Sequence, residues 1–292
     1  MGTSFFQCDW FILAIGASCL YGGMDFMYKV SAEKGLGGVA TVQVATTTVF
    51  ILCCGALLWR GSLPGGLAGI TVLAVANGTF FMFGSVSKIV SLEKASAAVV
   101  FPLTKLNILF IVLIGIFAFS ERPSTTQYFG IACALAMLLV VARPPGSGFG
   151  KERRRAGIAL AVAAGLCTSL SITVGKISAV RGVDRLAYMA VSYFLVSVAT
   201  LGWNAAGDCG KLRPDGARLL VGAAAGILNF AGYYAFLTAL RKGPLSIVHP
   251  IFSMSMVLPI LLSAVVYKER PSRREMAGVA LCIAAIVLLR FR

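Results

Sequence analysis

Charge is what this sequence has least of. Asp, Glu, Lys and Arg make up 13% of it against 58% hydrophobic residues, with a mean hydropathy of +0.88. A water-soluble domain needs about 25% charged residues to cover its surface, so a soluble fold is excluded and a membrane protein is implied. Acid is scarcer than base, 11 residues against 26, for a net charge of +15. His249 is the one histidine, and the apolar runs hold no acidic cluster. Metal-assisted or nucleophile–base chemistry therefore lacks its parts; no enzyme activity, metal or cofactor is expected. The cysteines (Cys8, Cys19, Cys53, Cys54, Cys133, Cys167, Cys209, Cys282) form no CxxC and lie mostly in apolar runs, where they read as small buried hydrophobes. No Lys or Arg precedes the first apolar run. The basic start of a secretory signal is missing, and this run reads as a retained helix.

The basic residues that are present fall mostly in the second half, in short loops between apolar runs. Lipid head groups suit that placement, and no nucleic-acid partner is expected. An apolar helix of about 20 residues crosses a bilayer, and ten such spans can be drawn: 10–31, 38–59, 67–90, 95–119, 125–142, 156–180, 185–206, 217–240, 245–267 and 273–290. The longest connector, RPPGSGFGKERRR from Arg143 to Arg155, has linker composition.

The chain repeats itself. Leu92–Pro123 reappears 148 residues later as Leu240–Pro271, so that Lys94, Pro102, Glu121, Arg122, Pro123, Ser124 and Gly130 fall on Lys242, Pro250, Glu269, Arg270, Pro271, Ser272 and Gly278. Lys29-Val-Ser-Ala with Gly35 is likewise matched by Lys176-Ile-Ser-Ala with Gly182. Residues 1–148 and 149–292 thus read as two five-helix units. An odd number of spans per unit forces the copies into opposite orientations, the pattern of secondary transporters with a site near the bilayer midplane. The expected fold is an all-α membrane protein of ten transmembrane helices in two inverted five-helix repeats.

Three stretches carry a family resemblance: ASAAVVFPLTKL (Ala95–Leu106), the SERP turn (Ser120–Pro123) with Gly130 beyond it, and GPLSIVHPI (Gly243–Ile251) followed by KERP (Lys268–Pro271). With them the chain resembles, over its full length, the EamA-type branch of the drug/metabolite transporter superfamily. The resemblance implies a multi-pass protein of the bacterial cytoplasmic (inner) membrane with both termini cytoplasmic. Charge bias points the other way, because the opposite face would hold more Lys and Arg, Arg153–Arg155 among them. Relatives often carry an aspartate just before the intramembrane lysine; here that residue is Thr104.

Several residues in the spans are candidates for substrate binding. Lys105 lies about 15 Å into the fourth span at 1.5 Å per residue, on a face with Ala98, Pro102, Leu109 and Val112. It either lines a cavity and attracts an anion or the carboxylate of a zwitterion, or it snorkels or pairs with an acid between helices. Ser246, His249, Pro250, Ser253 and Val257 form the matching stripe on the ninth span. His249 reads as a substrate or proton contact or as a hydrogen-bonded structural group. Asp25 is the one carboxylate well inside a span, with Lys29 four residues on and Tyr21 and Tyr28 on its face. A salt bridge near the helix end and a proton or cation site both fit it. Asn77 with Phe80, Phe81 and Gly84, and Asn229 with Tyr233 and Phe236, set an amide beside an aromatic stripe; this suits a cavity and equally ordinary packing. Gly222 and Gly226 read as a close helix contact. Pro102, Pro250 and Pro259 are hinge candidates or packing features, and the two Glu-Arg-Pro turns are assigned to structure or gating.

The function these residues favour is secondary transport of a small anionic or zwitterionic metabolite by alternating access, with proton or ion coupling open. Export of cationic or amphiphilic compounds, with Asp25 and the aromatics as the site, is the alternative. A flippase for a lipid-linked sugar is a third reading.

Overall fold

The computed structural model describes residues 9–61, 66–94, 100, 103–104, 107–141, 151–206, 216–268 and 272–291, and these are helices and short turns. The helices are α1 (Asp9–Glu33), α2 (Gly38–Arg60), α3 (Leu67–Lys94), α4 (Asn107–Ala118), α5 (Thr125–Val141), α6 (Lys151–Val180), α7 (Arg185–Ala206), α8 (Gly216–Lys242), α9 (Leu245–Ser253), α10 (Val257–Val266) and α11 (Arg273–Arg290). A single 3₁₀ turn, Met254–Met256, joins α9 to α10. Among the described residues, seven helical segments are long and apolar enough to cross a membrane, α9–α10 counting as one; α4 and α5 are shorter apolar helices. The bundle exterior is itself apolar: Trp59 is 94% exposed, Leu58 81% and Phe117 80%. That surface suits lipid and would not suit water. The chain is an integral, multi-pass membrane protein.

Repeated sequence becomes repeated local structure through backbone hydrogen bonds. After α1, Gly35 (φ 62°) donates to Ala32 O and Leu36 to Ser31 O; after α6, Gly182 (φ 68°) donates to Ala179 O and Val183 to Ser178 O. These are two copies of a left-handed glycine helix stop. The serine after each Glu-Arg-Pro turn has a matching task. Ser124 N donates to Gln127 Oε1 at 2.9 Å, and Ser272 N donates to Glu275 Oε2 at 2.7 Å. Each serine hydroxyl accepts in return from the third residue's amide, so α5 and α11 both begin with a capping box.

Packing between the halves follows the same exchange. α1 lies along α8 as α6 lies along α3; α2 meets α7, α4 meets α9, and α5 meets α11. Close approach is where the glycines act. A Cβ on Gly222 would sit 2.6 Å from Val44 Cβ, and one on Gly226 2.7 Å from Ala45 O, so the GxxxG of α8 is its contact with α2. On α1, a Cβ on Gly22 would lie 2.6 Å from Ser255 O in the 3₁₀ turn. That carbonyl is four residues before Pro259, which has no N–H to bond it. The break in the ninth span therefore falls between Pro250 and Pro259, and α1 packs directly on it.

Candidate functional site

The polar residues of the spans converge on α7. Asn77 on α3 accepts from Ser171 Oγ of α6 at 2.6 Å and donates to Ser192 Oγ of α7 at 3.1 Å. Ser192 Oγ in turn donates a hydrogen bond to Ala74 O at 3.1 Å. The next residue on α7, Tyr193, donates to Asn229 Oδ1 of α8 at 2.8 Å. The two asparagines thus reach adjacent residues of one helix. All five side chains are buried, and in a low-dielectric interior satisfied bonds of this kind fix geometry.

From Tyr193 a line of rings runs inward. Tyr193 meets Tyr233 edge-on with centroids 5.9 Å apart, Tyr233 stacks on Phe236 at 6.2 Å, and Phe236 lies 4.3 Å from Phe252. Phe252 in turn meets Tyr21 of α1 at 4.4 Å. His249 completes the group, 6.4 Å from Phe236 and 6.2 Å from Phe252, with Nε2 3.2 Å from Ser253 Oγ. The hydroxyls of Tyr188 and Tyr233 come together over Gly175, 3.8 and 3.7 Å from where a Cβ would stand. Centroid spacings of about 4.5–7 Å are favourable aromatic geometry, and the rings present both π faces and hydrogen-bonding edges in one place.

Of the residues singled out by sequence, Asn77, Asn229, Tyr233, His249 and Ser253 fall in this one region, drawn from α3, α8 and α9. Asp25 is half-buried on α1, one turn from both Tyr21 and Tyr28. Four residues on, Lys29 Nζ donates to Ser263 Oγ of α10 at 2.9 Å and stands 5.4 Å over the Tyr267 ring. Lys105 and Pro102 lie outside the described residues. Just before Lys105, the carbonyls of Thr104 and Leu103 lie against Gly165 of α6. The faces named by helical spacing divide in two places. Val112 is buried while Leu109 is 41% exposed, and Phe81 of the α3 stripe is 42% exposed where Tyr233 and Phe236 of the α8 stripe turn inward.

Sequence reasoning passed over Ser171, Ser192 and Tyr193, whose only signal was hydroxyl residues in apolar helices. It also missed what Lys176 does. Lys176 is buried, donates to Leu240 O at 2.9 Å and Gly243 O at 2.7 Å, and lies 3.9 Å from Glu121 Oε1. Glu121 itself accepts from the amides of Leu245 at 2.6 Å and Ser246 at 2.8 Å. One ion pair thereby closes the carbonyl end of α8 and the amide end of α9, where each end's own partial charge favours the ion it meets. The Glu-Arg-Pro turn of the first half is a cap for a helix of the second.

A solved crystal structure superposes on this chain with a TM-score of 0.76 at 19% identity, covering 96% of each chain, a likeness of fold. No curated protein matches the sequence. The model of the EamA-like transporter family matches residues 155–291, from α6 through the last helix. That stretch, with its capped α8–α9 junction and the buried Asn229, Tyr233 and His249, is therefore similar to the EamA-like transporter family, part of the drug/metabolite transporter superfamily.

Proposed function

We propose that this protein is a secondary transporter that moves a small anionic or zwitterionic metabolite by alternating access between two inverted five-helix halves, residues 1–148 and 149–292. The observation that carries this reading is the buried region where Asn77, Asn229, Tyr233, His249 and Ser253 meet beside α7, built from both halves. Amides, phenols and an imidazole offer donors to carboxylate or phosphate oxygens, and the rings hold the apolar part. Lys105 adds the positive charge of the fourth span, and Asp25 provides a carboxylate for an ammonium group or a coupling proton. Pro250 and Pro259, on either side of a 3₁₀ turn, make the ninth span the one to bend, with Pro102 in the matching place on the fourth. A bacterial cytoplasmic membrane with both termini inside is the setting that fits the family.

The test is substrate flux in proteoliposomes, after a thermal-shift screen of purified protein against metabolites. His249→Ala and Lys105→Ala are each expected to lower flux about tenfold or more while the protein remains folded. Unchanged flux in both variants would remove the anion-binding role. A second reading, export of cationic amphiphiles, is favoured by the aromatic line from Tyr193 to Tyr21, since ring faces attract cations. Drug resistance lost in Asp25→Asn, with metabolite flux intact, selects it.

A further inference from the structure

At the bundle end where α2, α6 and α8 finish and α7 begins, Arg60, Arg185 and Arg241 surround a cavity of about 220 Å³. Its floor is Ala179, the Gly182–Val183–Asp184 turn and Leu186, and Tyr234 forms a wall. A water molecule occupies about 30 Å³ in the liquid, so the cavity admits a much larger group. Each guanidinium comes from a different element. Arg60 ends α2 and is ion-paired to Asp184, whose other oxygen accepts from Ala187 N at 3.0 Å and caps α7. Arg185 lies with its guanidinium 5.0 Å over the Tyr234 ring. Arg241, in the last turn of α8, brings a guanidinium nitrogen to 3.9 Å from where a Cβ on Gly182 would be. Among the described residues that line it, the one carboxylate, Asp184, is already engaged, which leaves a surplus of two positive charges in a recess at the helix ends.

The fold does not require these charges. The α1–α2 turn has the same backbone as the α6–α7 turn, yet Gly37, Gly38 and Glu93 stand where Asp184, Arg185 and Arg241 are expected from the repeat register. A glycine stop of this kind forms without any arginine. Arg185 and Arg241 have no arginine at the matching positions of the first repeat.

We propose that this cavity is a binding site for a phosphate group, held by the forks of Arg185 and Arg241 with Arg60 and Asp184 as its fixed rim. Guanidinium forks match phosphate oxygens in pairs, and basic recesses between helix ends at the membrane surface are suited to anionic head groups. The site lies apart from the buried residues of the proposed transport path, so it stands or falls independently of that path. The phosphate comes either from a lipid head group or from a soluble ion.

Full-length protein in phosphatidylcholine nanodiscs tests it in two arms, one titrating phosphatidylglycerol into the discs and one titrating inorganic phosphate into the buffer. The readout is the midpoint of the rise in Tm with ligand, which reports affinity even for a variant that starts less stable. The wild type is expected to respond in at least one arm: the lipid arm alone identifies a head group, and the phosphate arm identifies a soluble anion. In the responding arm, Arg185→Gln and Arg241→Gln should each move the midpoint about tenfold, the scale of one lost charge-assisted bond. Arg181→Gln, a neighbouring exposed arginine outside the cavity, should move it by less than about twofold. No response in either arm, or an Arg181→Gln shift as large as the other two, overturns the site.

Discussion

The α1–α2 and α6–α7 turns have one backbone and two chemistries. Both stop a helix with a left-handed glycine, Gly35 or Gly182, and both form the same pair of amide–carbonyl bonds. One then continues through glycines into α2, while the other gathers Asp184, Arg185, Arg60 and Arg241 around a cavity. The same division holds one turn earlier. Lys29 and Lys176 are repeat partners, yet Lys176 is seen closing the α8–α9 junction with Glu121, while Lys29 reaches Ser263 and Tyr267. The matched residues stop both helices in the same way. What is placed at each stop is free to differ, and the differences are where function is to be sought.

That comparison breaks most severely at Lys176. Lys176→Ala leaves two buried carbonyls and the Glu121 carboxylate without their cation, and should cost about 3 kcal/mol, read as loss of monodisperse protein and a fall in Tm. Glu121→Gln keeps a hydrogen-bonding side chain at the α9 amides and should cost less. An equal loss in the two variants would show that charge, not capping, matters there.

The next largest effect separates glycines by what faces them. Gly226→Ala places a Cβ 2.6 Å from Thr48 Cβ and 2.7 Å from a backbone oxygen, an overpacking of about 2 kcal/mol. Gly16→Ala on α1 meets nothing within 4 Å and should be neutral or stabilising by less than about 1 kcal/mol. Thermal unfolding of the two variants in one detergent gives the difference directly.

The smallest effect sharpens the turns themselves. Gly35→Ala and Gly182→Ala should each cost about 1 kcal/mol, because both residues sit at positive φ, and near equality is the signature of a common backbone. Asp184→Ala removes a helix cap that Gly37 does not supply in the first half. It should add a loss of about 1 kcal/mol confined to α7, visible as faster amide exchange in its first turn.

Much of this was legible in the sequence. Apart from the fourth span, whose start lies outside the described residues, apolar runs gave the helix limits to within about five residues, and the capping boxes at Ser124 and Ser272 rest on local residues that the sequence already displays. The GxxxG of α8 was equally local. Lys176 was not legible: its motif differs from that of Lys29 only by isoleucine for valine, and its burial depends on which helix ends lie beside it. Phe81 and Phe236 were read as members of similar stripes, yet one faces outward and one inward, which helical spacing cannot distinguish when lipid and core are equally apolar. Pro250 and Pro259 were read as hinge candidates or packing features of the ninth span. The irregularity sits at Met254–Met256, a turn before the second proline, because a proline disturbs the carbonyl four residues earlier.

The cap on α9 has a consequence for how the protein is made. Its carboxylate, Glu121, is 124 residues upstream of the amide it serves, so it leaves the ribosome well before α9 exists. The second half, synthesised alone, would enter the bilayer with the start of α9 and the buried amine of Lys176 both lacking that carboxylate. The two stretches of chain depend on each other at this junction. The amide end of α9 is capped only when the chain around Glu121 and the chain around Leu245 have come together.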